Sequence, residues 1–162
     1  MKRPDTGKTF LDLEDINMIL PKELKLDSER HSRGVYRAAN GCLISISNSK
    51  EYAKGYLAWY YVYADRYAEI GVSYMIFTVG LLGVVLIPME LFQAYKIGCY
   101  WKEGLRKGEK RYRIDITKRD NKYVFINGSG PGMESWSLGE WHDRTKKPYG
   151  FYGISSPTVK IM

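Results

Sequence analysis

The longest apolar stretch covers residues 70–89, where no side chain is charged. A membrane-spanning helix needs about 20 such residues, but Gly80 and Gly83 interrupt this stretch, and β-branched and aromatic residues are frequent in it. Those residue types favour strands, and glycines around a short connection indicate a hairpin. Glu69 and Glu90 flank the stretch, whereas lysine or arginine usually flanks a span. We therefore predict two buried strands, with a membrane span as the alternative.

The apolar and polar positions of the rest of the chain predict further elements. Helices are predicted at residues 10–20, capped by Thr9, at 64–70, at 88–98 beginning with Pro88, and around Trp136 and Trp141. Strands are predicted at residues 34–37, 41–47, 56–63, 110–117 and 122–127. Charged or glycine-rich sequence predicts loops at residues 22–32, 102–110 and 128–132. This pattern predicts an α+β fold, a mostly antiparallel or mixed β-sheet with about three packed helices.

The length of the chain bounds its domain organisation. With 162 residues, the chain is long enough to bury one hydrophobic core. We predict a single globular domain over residues 1–162, with a flexible arm at residues 1–8 and a loop-like tail at residues 142–162.

Two features of the sequence predict a cytoplasmic protein. Pro4, Asp5 and Gly7 stand where the apolar part of a secretory signal would begin, so we expect no such signal. Cys42 and Cys99 are too few for a disulfide framework and lie in apolar surroundings. Their setting is typical of reduced, buried thiols in a cytosolic protein.

The chain carries a formal charge of +7, which indicates an anionic partner. The alternative is a basic protein whose charge only keeps it in solution. We expect nucleic acid, DNA in the first place, rather than a membrane. Basic residues form two clusters, one of Arg30, Arg33, Arg37, Lys50 and Lys54, the other of Lys102, Arg106, Lys107, Lys110, Arg111 and Arg113. The aromatic strand at residues 56–63, which includes Trp59, either stacks on exposed bases or belongs to the core.

The sequence contains no strong catalytic or metal-binding motif. His31 and His142 do not lie at zinc-ligand spacing from either cysteine, so no metal site is predicted. Residues 128–132 are glycine-rich, as phosphate-binding loops are, but they match neither known glycine pattern. Pro131 also lacks the N–H group that a phosphate cradle uses, so a plain turn is favoured.

One short pattern is compatible with a nuclease. Asp5, Glu23 and Lys25 follow the order PD…ExK, in which acids hold a metal ion beside the scissile phosphate. These three residues are the candidate catalytic set. Mg²⁺ is the expected cofactor only on this hypothesis, and otherwise we expect none.

Residues 41–95 resemble the second half of restriction-endonuclease-like PD-(D/E)xK domains and of related prokaryotic DNA-defence proteins. The segment runs from CLISISNSK through GYLAWYYV and a short helix to two apolar strands, Ile87-Pro88 and another helix. It makes up roughly a third of the chain. The family places an acid and a lysine on its catalytic strand, and here only Lys50 fits that pair. The resemblance therefore implies a domain that binds DNA rather than one that cuts it.

Three functions follow as hypotheses. The first is a DNA-binding module, for example a specificity or modified-base-reading domain of a restriction or defence system. The second is a metal-dependent nuclease, and the third is a protein-interaction or inhibitor protein that contacts a protein partner through Leu81 and Leu82. The residues predicted to bind nucleic acid are Arg33, Arg37, Lys50, Lys54, Trp59, Arg106, Lys107, Lys110, Arg111 and Arg113.

Overall fold

The protein is described by a computed structural model that covers residues 7–52, 58–96, 99–119, 122–126, 136–137 and 150–153. The fold is α+β, as predicted. Its helices are α1 (Leu13–Ile19), a 3-10 helix (Lys22–Leu24), α2 (Ala64–Glu69) and α3 (Met89–Tyr95). Its strands are β1 (Leu26–Ser32), β2 (Val35–Ala38), β3 (Leu43–Ser47), β4 (Ala58–Val62), β5 (Val72–Val79), β6 (Gly83–Pro88), β7 (Trp101–Glu103), β8 (Lys110–Arg119), β9 (Lys122–Ile126), β10 (Trp136–Ser137) and β11 (Gly150–Gly153).

The strands form two sheets. The first sheet has the order β1-β2-β3-β5-β6-β11, and every neighbouring pair is antiparallel except β3 and β5. The second sheet has the order β10-β9-β8-β4, and β7 also pairs with β8. Since β4 pairs with β8 at residues 112–116, both β7 and β9 must lie along the other edge of β8. The connection between the parallel strands β3 and β5 contains β4 and α2.

The uncharged stretch at residues 70–89 contains the central hairpin of the first sheet, so the prediction of two buried strands is confirmed. Phe77 and Ile87 point into an inner core between the two sheets. Ile76 and Leu86 point into an outer core on the opposite side of the first sheet, beneath α1 and the 3-10 helix. Because both faces are covered, the strands are apolar throughout instead of alternating. Among the described residues, none of the helices combines the length and the apolar character that crossing a bilayer requires.

Two apolar residues, Leu81 and Leu82, form the turn of this hairpin. Leu81 packs against the outer core and Leu82 against the inner core, and each is half-buried. The two side chains therefore contribute to packing on opposite faces of the sheet. A protein contact through Leu81 and Leu82 stays a prediction, with only part of each side chain on the surface.

Most predicted elements are present, but several bounds differ. Helix α1 begins three residues later than predicted because Asp12, not Thr9, is its cap: Asp12 accepts a bond from the Asp15 N–H, and Asp15 in turn accepts one from the Asp12 N–H. Pro88 is the cap of α3 rather than its first residue. Lys8, placed in the predicted flexible arm, forms ion pairs with Asp12 and Asp15.

Some loop and helix predictions are wrong. Residues 26–32 form β1, an edge strand in which only Leu26 is buried, so the sequence shows no strand-like alternation. Residues 101–103 form β7, at the start of the predicted basic loop. Trp136 lies in β10 instead of a helix, and residues 150–153 of the predicted tail pair with β6 as β11. Residues 1–6, the glycine-rich segment at 128–132, and Trp141 lie outside the described residues.

Candidate nucleic-acid interface

Strands β4 and β8 of the second sheet present one apolar face and one polar, aromatic face. Tyr60 of β4 and Ile114 of β8 point into the inner core. Alternation along the strands therefore places Trp59 and Tyr61, with their partners across the strands, on the opposite face. In the register of β4 and β8, Trp59 is opposite Asp115 and Tyr61 is opposite Arg113. We call this surface the outer face.

Cations surround both aromatic rings of the outer face. The guanidinium carbon of Arg113 lies 4.5 Å from the centroid of the Trp59 ring and 5.8 Å from that of Tyr61. Lys102 Nζ and the Arg111 guanidinium carbon each lie 4.8 Å from the centroid of the Tyr61 ring. The two rings meet edge to face, with centroids 5.7 Å apart. These distances are within the range of cation–π attraction, so the rings hold three positive charges on one side of the sheet.

A buried carboxylate fixes one of these cations. Asp115 is 5% exposed, and its Oδ1 accepts a 2.7 Å hydrogen bond from Arg113 Nε. Burial would lower the pKa of Arg113, but the bond to Asp115 reverses this effect and the pKa is raised. Asp115 neutralises Arg113 in part, and Lys102 and Arg111 supply the remaining positive charge of the outer face.

The same cations change the acidity of Tyr61. Desolvation would raise the pKa of its hydroxyl, but the interactions with Lys102 and Arg113 outweigh desolvation and lower that pKa. This direction means that the surroundings of Tyr61 favour negative charge. A bound anion such as a phosphate would experience the same field.

A cleft of about 330 Å³ opens beside the outer face. One wall comes from the end of β3, with Ser47 and Asn48, and from the turn between β1 and β2, with Gly34. The other wall comes from β4 and the start of α2, and it includes four tyrosines: Tyr60, Tyr61, Tyr63 and Tyr67. Arg33, Arg66 and Leu105 also line it. Tyr61 belongs both to the cleft and to the outer face.

Two ion pairs hold the wall that contains α2. Arg66 donates two hydrogen bonds to Glu109, of 2.8 and 2.6 Å, and its guanidinium stacks 4.3 Å from the centroid of the Tyr63 ring. The bond from Arg66 lowers the pKa of Glu109. Asp65 accepts bonds from Lys96 at 2.5 Å and from the Tyr112 hydroxyl at 2.8 Å. These bonds connect α2 to α3 and to the second sheet.

The structure brings together only part of the predicted nucleic-acid site. Trp59, Arg111 and Arg113 lie together on the outer face. Arg33 lines the cleft, and Lys110 lies 4.4 Å from the ring of Trp101, which is 47% exposed.

The other predicted residues are more widely spread. Arg37 donates to the Gly41 carbonyl on the first sheet, and Lys50 lies 5.3 Å from the Tyr52 ring. Arg106 and Lys107 are exposed on the loop between β7 and β8, and Lys54 lies outside the described residues.

Tyr61 is the residue of the outer face that sequence reasoning missed. The prediction selected Trp59 from the aromatic strand and did not assign a role to its neighbour two positions on. The sequence could have indicated Tyr61, because residues two apart in a strand share a face and Trp59 had already been selected. Lys102 belongs to the predicted basic cluster, but only the pairing of β7 with β8 brings it next to Arg111.

The structure describes two of the three candidate nuclease residues, Glu23 and Lys25. Lys25 donates to the carbonyl groups of Asn17 and Leu20 at the end of α1. Glu23 is exposed on the 3-10 helix, and Asp5 lies outside the described residues. Within the described part of the chain, no group of three or more His, Cys, Asp or Glu side chains could hold a metal ion.

Comparison with known proteins does not place the chain in a family. No protein-family model, no curated protein and no solved structure matches it. The resemblance to restriction-endonuclease-like domains over residues 41–95 therefore stays a prediction from the sequence.

Proposed function

We propose that this protein is a nucleic-acid-binding module that holds single-stranded DNA on the outer face of its second sheet. The observation that carries the proposal is the group of Lys102, Arg111 and Arg113 around the rings of Trp59 and Tyr61. Proteins that bind single strands combine a positive surface for the backbone with aromatic rings on which bases stack. A role in a restriction or defence system rests on the sequence resemblance alone and stays a prediction.

The cations would supply most of the affinity through contacts with phosphates. Each neutralised phosphate of a single strand contributes about −0.7 to the slope of log affinity against log salt. Three cations therefore predict a slope of about −2. The exposed side chain of Lys102 can leave the Tyr61 ring to reach a phosphate, because Asp115 does not hold it.

The rings favour a single strand over a duplex. Trp59 and Tyr61 are half-buried and lie side by side on a sheet, so only an unpaired base can stack on them. Stacking of this kind contributes about 1–3 kcal/mol per base and does not depend strongly on the base. The outer face would then bind many sequences, with selectivity arising elsewhere.

Fluorescence anisotropy with a labelled single-stranded oligonucleotide, measured over a range of salt concentrations, tests the proposal. Lys102→Gln should make the slope shallower by about 0.7. Lys22→Gln is the matched control, because Lys22 is an exposed lysine on the 3-10 helix, beyond the outer core. Equal slopes for the two variants would contradict the proposal, as would a wild-type affinity that does not depend on salt.

A second pair of variants tests the aromatic contribution. Trp59→Ala should weaken binding about 5- to 150-fold, the equivalent of one stacked base. Trp59→Phe keeps a ring at the same position and should retain most of the affinity. A melting temperature for each variant shows whether the fold is intact. If Trp59→Ala folds and binds like the wild type, stacking on this ring is excluded.

A further inference from the structure

The cleft beside the outer face is positioned to receive part of a bound strand. Its volume of about 330 Å³ lies at the lower end of the range of roughly 300–1,000 Å³ for small-molecule sites. Tyr61 forms part of both surfaces, so a strand that crosses the outer face at Tyr61 passes the opening of the cleft. A cleft of this size suits one nucleotide and not a longer segment.

The chemistry of the lining suits a planar, polar ring. Tyr61, Tyr63 and Tyr67 are half-buried and provide flat apolar surfaces with hydroxyl groups at their edges, whereas the ring of Tyr60 is buried in the inner core. Ser47 contributes a hydroxyl and Asn48 a side-chain amide. The amide oxygen of Asn48 accepts a 3.1 Å bond from Thr78 Oγ1, so the amide nitrogen is the end that remains for a ligand. Amide and hydroxyl groups hydrogen-bond the edges of unpaired bases.

The walls of the cleft are already fixed in place. The Tyr60 hydroxyl donates a 2.6 Å bond to the Thr78 carbonyl, and the Arg66 guanidinium is held by both oxygens of Glu109. Glu109 compensates the charge of Arg66. Among the described residues of the lining, Arg33, which is exposed, is therefore the cation that remains for a phosphate. A preformed site loses less conformational entropy when a ligand binds.

We infer that the cleft takes one unpaired nucleotide of the bound strand, with the base between the tyrosines and its phosphate at Arg33. This inference rests on the proposed function, because the outer face holds the strand whose base enters the cleft. It adds a source of base selectivity that the outer face lacks. The base is read by Asn48 and Ser47, whereas the neighbouring bases stack on Trp59 and Tyr61 without selection.

A variant that fills the cleft separates the two surfaces. Ser47→Leu places an apolar side chain in the lining and leaves Lys102, Arg111 and Arg113 unchanged. Ser28→Leu on the exposed edge strand β1 is the matched control. In the anisotropy assay, Ser47→Leu should weaken oligonucleotide binding about 5- to 150-fold, the loss of one stacked base, and should make the salt slope shallower by about 0.7, because the phosphate at Arg33 leaves with the base. Ser28→Leu should bind like the wild type.

Nuclear magnetic resonance with free nucleotides tests the cleft directly. Each of the four deoxynucleoside monophosphates, and deoxyribose 5-phosphate as the ligand without a base, is titrated into the wild-type protein. At least one monophosphate should shift the backbone amide signals of Ser47 and Asn48 saturably, and the sugar phosphate should not. Asn48→Asp keeps the acceptor for Thr78 but removes the amide nitrogen, and it should change which base binds best.

These experiments can exclude a nucleotide site in the cleft without excluding strand binding on the outer face. If the wild type binds the strand with the expected salt slope and Ser47→Leu binds equally well, the cleft is empty and the outer face alone is the site. The inference is also overturned if the sugar phosphate shifts the same amides as strongly as the monophosphates. If no oligonucleotide binds the wild type, the proposed function fails and the inference fails with it. If Ser47→Leu does not fold, the Asn48→Asp variant provides the test instead. A base preference that is unchanged in Asn48→Asp would overturn the inference.

Discussion

The guanidinium of Arg113 stacks on the indole ring of Trp59 at 4.5 Å, while its Nε donates a 2.7 Å bond to Asp115. Trp59 and Asp115 face each other across β4 and β8, so three side chains form one unit that links the two strands. Asp115 is buried in this arrangement, although it occupies one of the polar positions that alternate along β8 with Tyr112, Ile114 and Ile116. The charge of Arg113 is therefore held in a fixed position on the outer face.

Removing the carboxylate from this unit should have opposite effects on stability and on binding. Asp115→Asn keeps the shape of the side chain but weakens its bond to Arg113, which we expect to cost about 1–3 kcal/mol of the free energy of unfolding. Thermal unfolding should show a lower melting temperature, by about 2–4 °C for each kcal/mol. The affinity for single-stranded DNA should rise, because a negative charge has left the outer face.

The control for this variant is Asp27→Asn on the exposed strand β1, which changes the net charge equally. It should alter neither stability nor affinity appreciably. If Asp27→Asn strengthens DNA binding as much as Asp115→Asn does, net charge rather than the outer face determines affinity.

Phe77 connects the elements of the inner core. Its ring lies 5.0 Å from that of Tyr60 on β4 and 6.2 Å from that of Phe92 on α3, centroid to centroid. Phe77 is fully buried, so Phe77→Ala would leave a cavity between the two sheets and should cost about 3–5 kcal/mol. Urea unfolding measures this loss. Ile70→Ala, at a position that is 41% exposed, should change the stability by less than about 0.5 kcal/mol.

Gly80 is required at the start of the turn between β5 and β6. Its φ of +53° lies in the left-handed region, and an added Cβ would lie 2.8 Å from Cγ and 2.9 Å from the backbone N of Glu51. Its N–H donates to the Ser49 carbonyl at 2.8 Å, and its carbonyl accepts from Leu11 at 3.1 Å, so the backbone cannot easily move aside.

We expect Gly80→Ala to cost about 2–4 kcal/mol, from backbone strain and the close contact together. Gly7→Ala is the comparison, because Gly7 has a similar φ of +65° and no atom lies within 4 Å of the added carbon. Thermal unfolding of both variants separates strain from crowding. Equal losses would show that the contact with Glu51 relaxes without cost.

The Asp65–Lys96 pair should make a small, pH-dependent contribution to stability. Burial alone would raise the pKa of Asp65, but the bonds from Lys96 and Tyr112 outweigh it and lower the pKa below its ordinary value of 3.8. The contribution of Asp65 is therefore complete above pH 3.8 and is lost as the pH falls through the lowered value. The pKa of Lys96 is raised above 10.5, so its contribution is complete below that pH and is lost as the pH rises through the raised value.

Asp65→Asn tests this dependence. The Asp65 side chain is 46% exposed. Because solvent screens the pair, we expect the variant to lose only about 0.2–1 kcal/mol of the free energy of unfolding at pH 7. Thermal unfolding should show a difference from the wild type at pH 7 that shrinks below pH 3.8. Glu69→Gln, in the same helix and exposed, should show no such change. A difference that is constant from pH 7 to pH 3 would mean that the charge of Asp65 is not the cause.

Local sequence predicted the central elements of the fold because their burial is encoded in each segment. Strands β5 and β6 are apolar on both faces, and β8 alternates between buried and polar positions. Edge strands β1 and β11 were not predicted. In β1 only one side chain of seven is buried. Both strands form because they pair with a neighbouring strand, and the local sequence of each gives no sign of that pairing.

The candidate site was only partly predictable for the same reason. The basic clusters of the sequence include Arg111 and Arg113, and composition predicts a basic surface. The cleft, however, unites residues from four separate parts of the chain, at positions 33–34, 46–48, 60–67 and 105. Their proximity depends on the packing of the two sheets, so no spacing in the sequence reveals it.

The buried strands at residues 72–88, the α+β composition and the excess of positive charge can all be inferred from the residues alone. Hydrophobicity and charge are properties of each residue, so they can be assessed without knowledge of the fold. Which cations contact which rings depends instead on the packing of the strands. The pairing of β4, β7 and β8 brings Lys102, Arg111 and Arg113 around Trp59 and Tyr61, because neighbouring strands lie within side-chain reach whatever their separation in the chain.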